Sequence, residues 1–441
     1  MAAPAAVPQT EKRVPEAPKP RAAAAGVLRP WLRAQAINVT RHAAALRPFR
    51  RDEFGTGPAA PSDGHIEAVN TLISSLRRTL LRMAGGVSES ASKASQEPLT
   101  VNLQRLVTRK EKAHGWVQAI ERIWDFYFEL FGQRQSAYGD WLLSCDRIAL
   151  DCYRVAYTGL GTTRSVPAPP PFSYMRTGFA PATFRRGIPL KRLGKQLNPF
   201  PLVQLPYHRM INPWTLGAML HEVSHNLQSD LGLSRDIPRR IGMRLLRAQC
   251  GRQTAATWVR WNREMFADTS ALLLGGPGIA ASLMDVIGRG PDTVLSYNPH
   301  GVHPTPFFRM LISVEMLRRM GFRNEAEQYR RAWLHFYPDP RAGTIPKTLL
   351  DAFPEACALA VDTMCFQPYQ SLGNKSLAQV IPFQPKEQKM IEEAARRLAA
   401  GTDPGIVPER FLVGAVRFAL DERLARPGPI TVNFYKELAR R

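Results

Sequence analysis

The chain has 441 residues, 44% hydrophobic and 22% charged, proportions that exclude wholesale disorder and a membrane-embedded body. That length exceeds what one hydrophobic core usually organises, so two folded units, or one enlarged domain with extensions, are expected. The formal net charge of +22 nominates nucleic acid, anionic membrane surfaces or acidic proteins as partners, although the Arg bias of a GC-rich genome gives the same charge with no partner.

Taken in order, residues 1–62 read as a flexible Ala/Pro/Arg-rich arm, interrupted by one short helix near Trp31 to Leu46. From Met1 through Pro20 no apolar run is long enough for a secretory signal, and no transmembrane segment is expected anywhere in the chain. Ile66, Val69, Leu72, Ile73, Leu76 and Leu80 fall at helical spacing and predict a helix over His65 to Met83, followed by a Gly/Ser-rich break from Gly85 to Glu97. Further helices are predicted from about Leu103 to Phe131 and from about Ser136 to Tyr157. Their aromatic residues Trp116, Trp124, Phe126, Phe128 and Trp141 read as core. A proline cluster from Ser165 through Phe172 marks a linker, Pro199 to Tyr207 is the clearest strand candidate, and helices dominate thereafter. The expected fold class is mainly α with a small β-sheet (α+β), divided into the arm (1–62), a helical region (63–160), a central domain (161–340) and a C-terminal helical extension packing on it (341–441).

Five cysteines, Cys145, Cys152, Cys250, Cys357 and Cys365, are few and contain no Cys-x-x-Cys pair. They argue against a disulfide scaffold or a thiolate zinc cage and for a reducing, cytoplasmic setting.

Chemistry concentrates after Asn212-Pro213-Trp214, which reads as a helix start with Asn212 as N-cap and Pro213 at the first helical position. On the helix that follows, Leu216, Leu220, Val223 and Leu227 form one apolar stripe, and His221 and His225 lie one turn apart on nearly the opposite face. Two neutral imidazoles at that spacing can grip one Zn²⁺ at roughly 2.0 to 2.1 Å, with a coordination position left open. Glu222, beside them, can take a proton from a water activated by the metal and return it to a leaving amine. Histidines on an ordinary helix surface are the alternative.

A third ligand is required. Gln228 and Leu231 stand where a metzincin carries Gly and His, which leaves the gluzincin arrangement, with an acidic ligand from a second helix. Thr254 to Leu274 predicts such a helix, ended by Gly275-Gly276-Pro277, and it places Glu264 and Asp268 on one face. Glu264 can bind the metal while Asp268 orients a ligand imidazole; a solvated acidic pair is the competing interpretation. Near His303-Pro304-Thr305-Pro306-Phe307-Phe308-Arg309 a loop enters a helix running to about Met320, and His303 and Arg309 can face the cleft and stabilise an oxyanion. Loop filler and surface charge explain them equally well on composition alone.

The three blocks, His-Glu-x-x-His, then Glu-x-x-Ala-Asp, then His-Pro-x-x-x-x-Arg, resemble in order and kind the zinc peptidases of the HtpX and CAAX prenyl protease group, over about Pro199 to Met320. The resemblance implies a zincin-like catalytic domain and a soluble zinc-dependent endopeptidase acting on peptide or protein substrates. It further implies His221, His225 and Glu264 as ligands, Glu222 as catalytic base, Asp268 behind a ligand, and His303 and Arg309 near the oxyanion. Members of the group that sit in membranes carry hydrophobic spans, which this sequence lacks, so their membrane-protein substrates are not implied.

Two supporting features accompany the motif. Pro201 to Leu205 directly precedes the metal helix and is expected to edge the cleft, where it can pair with an extended substrate, or to be a buried core strand. Arg235, Arg239, Arg240, Arg244 and Arg247 lie between the two site helices and are expected near the cleft, either to recruit an acidic or nucleic-acid-bound substrate or as a solvated basic face. A metal-stabilised binding or regulatory protein without catalysis, and a DNA-tethered protease, are the alternative functions.

Overall fold

The computed structural model describes residues 22–161, 164–178, 180–189 and 196–441. The described chain is mostly helical with one three-stranded mixed sheet. It divides into two units, Met1–Pro48 with Ile73–Trp124, and Phe49–Leu72 with Asp125–Arg441. Among the described residues no helix is long and apolar enough to cross a membrane.

The first unit is built from α1 (Ala22–Ala45) and from most of α2 (Asp63–Gln96) and α3 (Thr100–Gly132). Leu32 and Val39 of α1, Ala84, Val87, Ala91 and Ala94 of α2, and Leu106 and Ala113 of α3 form its core. The expected break at Gly85 to Glu97 is therefore corrected: α2 continues to Gln96. Ala84, Val87, Ala91 and Ala94 recur at helical spacing and are buried, and that burial outweighs the poor helix propensity of the Gly and Ser residues between them. The expected arm also differs from what is observed. Residues 1–21 lie outside the described residues, but α1 spans most of the remainder and buries Leu32, Val39 and Ala43. Further on, Phe49 and Phe54 are buried in the second unit, with ring centroids 6.1 and 5.2 Å from that of Phe131.

The second unit begins its main run with α4 (Gly139–Leu160), then β1 (Phe172–Met175), β2 (Ala182–Phe184) and β3 (Leu202–Leu205), with the short α5 (Tyr207–Ile211) behind them. The helices α6 (Gly217–Asp230), α7 (Asp236–Arg247), α8 (Arg252–Gly275), α9 (Gly278–Ile287) and the one-turn α10 (Pro291–Val294) come next. The chain closes through α11 (Pro306–Arg319), α12 (Arg323–Phe336), α13 (Lys347–Val361), the short α14 (Leu377–Val380), α15 (Pro385–Ala399), α16 (Phe411–Asp421) and α17 (Pro427–Arg440). One continuous core joins α4 to α17, so residues 341–441 share buried side chains with the helices that carry the candidate site.

Helix α8 is the axis of this core. Trp258, Trp261, Met265, Phe266, Leu272 and Leu274 are all buried, and α6 and α9 pack against it. Gly217 at the start of α6 permits a close approach, because a Cβ there would stand 2.6 Å from Ser282 Cβ on α9. Gly276 ends α8 at φ +77°, and the Phe383 ring occupies the space a side chain would need. The N-cap expected at Asn212 is not formed. Pro213–Thr215 is a separate 3-10 turn, α6 starts at Gly217, and the Asn212 side chain donates back to the His208 carbonyl at 3.2 Å.

The sheet order is β1-β3-β2, with β3 parallel to β1 and antiparallel to β2. The strand expected at the cleft edge is therefore the central one, and the edge belongs to β2, an Ala-Thr-Phe segment with no strand pattern of its own. Tertiary hydrogen bonds hold β2 in place. Asn198 Nδ2 donates to the carbonyls of Phe184, Arg185 and Phe200 at 3.0, 3.2 and 2.5 Å, and Thr183 Oγ1 donates to Leu202 O at 3.1 Å.

Because Gly85 lies inside α2 with open space where a Cβ would project, Gly85→Ala should stabilise the protein by about 0.5–1 kcal/mol. Chemical denaturation would read this as a raised midpoint at unchanged slope; a lowered midpoint would mean that the chain breaks at this position.

Candidate metal centre

Three helices supply the centre, and each delivers its groups for a local reason. Helix α6 buries Leu220, Val223 and Leu227 on one side, which turns His221, Glu222 and His225 to the other, where all three are half-buried and line one cleft. Helix α8 crosses beneath with Glu264 and Asp268 buried on its near face. Helix α11 contributes Arg309 from its first turn, and the loop before it carries His303.

The ligand-capable atoms converge. His221 Nε2 lies 3.1 Å from His225 Nε2 and 3.4 Å from Glu264 Oε2, and His225 Nε2 lies 3.4 Å from Glu264 Oε1. A tetrahedral ion bound at about 2.0–2.1 Å holds its ligand atoms roughly 3.3–3.4 Å apart; the two imidazole nitrogens stand near that separation, and each faces a different oxygen of the Glu264 carboxylate. These are also the three residues whose ligand atoms group closely enough to hold a metal among the described residues.

Behind them lies a buried ionic chain. His221 Nδ1 donates to Asp268 Oδ1 at 2.7 Å, which points its Nε2 at the ligand cluster. Arg309 Nε and Nη2 donate to Asp268 Oδ2 and Oδ1 at 2.8 and 2.7 Å in a bidentate pair. Burial opposes charge on Asp268, but Arg309 and His221 overcome it and hold the carboxyl below the usual range. Burial likewise opposes a charged His221, and Asp268 reverses the balance, raising the imidazole to about 10. His225 is lowered to about 3 by burial and by the charge on His221, which keeps its ring neutral. Glu264 carries a buried carboxylate whose desolvation is outweighed by hydrogen bonds from His221 and His303, and its pKa is lowered. Glu222 is raised to about 7, mainly by burial.

All seven residues singled out in the sequence thus meet at one cleft, but Arg309 differs from its expected place. Two of its donors are committed to Asp268, so its contact is with the carboxylate that orients His221. His303 remains open to the cleft, its side chain 61% exposed and its Nε2 3.2 Å from Glu264 Oε2. The basic helix α7 lies elsewhere. Arg240 donates to the Pro368 carbonyl at 2.7 Å and its guanidinium sits over the Tyr369 ring, and Arg244 pairs with Asp362 at 2.6 Å; none of the five arginines singled out there lines the cleft.

The cleft encloses about 770 Å³. Its walls include segments with no motif to announce them: β2 with its flanking residues Pro181 and Arg185, Phe126 from the aromatic stripe of α3, and Leu283 and Val286 of α9. Phe126 thus serves both core and cleft. The apolar periodicity of α9 was the one signal in the sequence that an apolar helix follows α8, and nothing local marked β2.

Replacing Arg309 with Met should cost about 3–5 kcal/mol, because Asp268 would keep a buried charge with one partner fewer. Urea titration at neutral pH would measure this, and a loss under about 1 kcal/mol would mean the carboxylate is hydrated rather than buried.

No known protein family, curated protein or solved structure matches the chain.

Proposed function

We propose that the chain is a zinc-dependent peptidase. The observation that carries this reading is the convergence of His221 Nε2 and His225 Nε2, 3.1 Å apart, on the Glu264 carboxylate, each 3.4 Å from one of its two oxygens. The donor set fits the ion: two imidazole nitrogens and one carboxylate with an open side toward the cleft are the ligands of a catalytic rather than a structural zinc. When bound, zinc supplies Lewis-acid polarisation and lowers the pKa of a coordinated water to about 7.

The remaining work falls to the chain. Asp268, itself held by Arg309, binds His221 at Nδ1, so Nε2 is the nitrogen turned to the ligand cluster and the one that would give up its proton to hold an ion. Glu222, whose neighbours on α6 are the two histidines, is the general base that accepts a proton at its carboxylate and returns it to the leaving amine. His303 is the exposed donor next to the cluster and is suited to a developing oxyanion. Arg309 is a positioning residue that acts through Asp268. The outer edge of β2, unpaired among the described residues, offers backbone groups to an extended peptide, the role expected of Pro201 to Leu205, and the cleft around it is large enough for several side chains. The zincin-like fold class belongs to this reading, as does a peptide or protein substrate. An acidic protein or nucleic acid held by the basic surface, and a cytoplasmic setting, remain proposals of the sequence alone.

Metal analysis of purified protein should find about one zinc per chain, lost in His221→Ala and retained in Glu222→Gln. Hydrolysis of casein-type peptides should fall by about 10²–10⁴-fold in Glu222→Gln. Zinc retained with hydrolysis unchanged in that variant would remove Glu222 as the base. Zinc without hydrolysis in the wild type would favour the metal-stabilised binding protein.

The pH profile follows from the same carboxylate. Glu222 acts as its base form, so kcat/KM should fall as pH drops through its pKa. That pKa is about 7 in the metal-free chain, and a bound divalent cation shifts it lower, so the acid limb should sit at or below about pH 7. A limb well above pH 7 would assign the essential base to another group.

A further inference from the structure

The two ends of the cleft differ in chemistry. Strand β2 runs alongside α6 in the same direction: Asn226 Nδ2 donates to Thr183 Oγ1 at 2.8 Å, and just past the end of β2 the Arg185 guanidinium donates to Ser229 Oγ. The end of β2 therefore lies at the C-terminal turn of α6. At the N-terminal turn of α6 the lining consists of Gly217, Ala218, Ile279, Ala280, Leu283 and Val286. The neighbouring Ser282 spends its hydroxyl on the Trp214 carbonyl at 2.7 Å. That end is apolar.

The opposite end is cationic. Arg185 and Arg263 both line it. Arg263 stands immediately before the ligand Glu264, is exposed, and makes no ion pair among the described residues. Arg185 is half-buried and gives its hydrogen bond to a neutral hydroxyl. Asp230, the carboxylate whose charge acts on Arg185, accepts a hydrogen bond from Tyr153 OH at 2.8 Å and forms no ion pair with Arg185 among the described residues. Glu264 and Asp268, the buried carboxylates of the cleft, are engaged with the histidines and Arg309. Burial and the Arg263 charge depress the Arg185 pKa, and Asp230 offsets this only in part, so the two cations facing the cleft are left under-neutralised. A carboxylate seated there relieves that repulsion and gains charge-assisted hydrogen bonds.

We infer that the cleft selects peptides that place a carboxylate against Arg185 and Arg263 on one side of the scissile bond and an apolar side chain against Leu283 and Val286 on the other. The inference rests on the peptidase reading for the bond that is cut, but not for the carboxylate preference itself. An acidic side chain and a free C-terminus supply the same group. The first makes the protein an endopeptidase with acidic preference and the second a carboxypeptidase.

The test uses full-length, zinc-loaded protein and matched fluorogenic peptides with Glu, Gln or Lys at each position flanking one scissile bond, each with a free or amidated C-terminus. Glu, or the free terminus, should be preferred over Lys or the amide by at least about tenfold in kcat/KM. Arg263→Lys should keep the preference. The double variant Arg185→Glu with Arg263→Glu should reverse it toward Lys while retaining its zinc, which shows that the site is still folded. Equal cleavage of the Glu and Lys peptides, with no effect of the terminus, would overturn the inference and leave the peptidase reading intact. If no peptide is cut, the peptidase reading fails, and fluorescence anisotropy of the same peptides decides the rest. Tighter binding of carboxylate-bearing peptides, lost on charge reversal, upholds the carboxylate site; equal binding removes it.

Discussion

Asp268 is a carboxylate in the middle of the most buried helix of the chain, and an unpaired charge there would be costly enough to unfold a marginally stable protein. It is tolerated because Arg309 meets both of its oxygens and His221 donates to one of them. Those two partners come from different helices, so satisfying one buried charge fixes α6, α8 and α11 against one another. The convergence of the candidate ligands is a consequence: once His221 is held by its Nδ1, its Nε2 points toward His225 and Glu264.

The same arrangement explains why acidic and basic groups in one small volume keep different protonation states. Burial acts on all of them, pushing Glu222 up and His225 down. Where a buried partner of opposite charge is close, pairing wins over burial, as at Asp268 and His221. One small volume thus holds a carboxyl poised near neutrality, a neutral imidazole and a firmly ionised carboxylate. The Gly217 contact with Ser282 lets α9 close the apolar end of the cleft beside it, and β2 closes the other side.

Much of this was legible in the order of residues. The spacing of His221 and His225, the apolar stripe opposite them, the separation of Glu264 from Asp268 and the glycine stop after α8 are local facts, because a helix converts spacing into facing without help from the rest of the chain. The extents of α3, α8 and α11 followed from the same periodicity. The continuation of α2 through Gly85 did not, because poor propensity was read as a break where packing of small residues overrides it. Asn212 shows the converse error: a good cap residue and a following proline were present, but the chain makes a 3-10 turn first.

The sequence by itself determined which residues can meet on one helix face, and hence the candidate ligands and the carboxylate between them. Only the tertiary structure decided which strand borders the cleft, that Arg309 pairs with Asp268, that Arg240 and Arg244 of α7 bind the segment around Asp362 and Tyr369, and that Arg185 and Arg263 both line the cleft. These facts depend on contacts between segments far apart in the chain. Strand order, salt-bridge choice and the lining of a cavity are set by the mutual burial of distant elements, and no local pattern of residue types encodes which of several available partners a side chain will take.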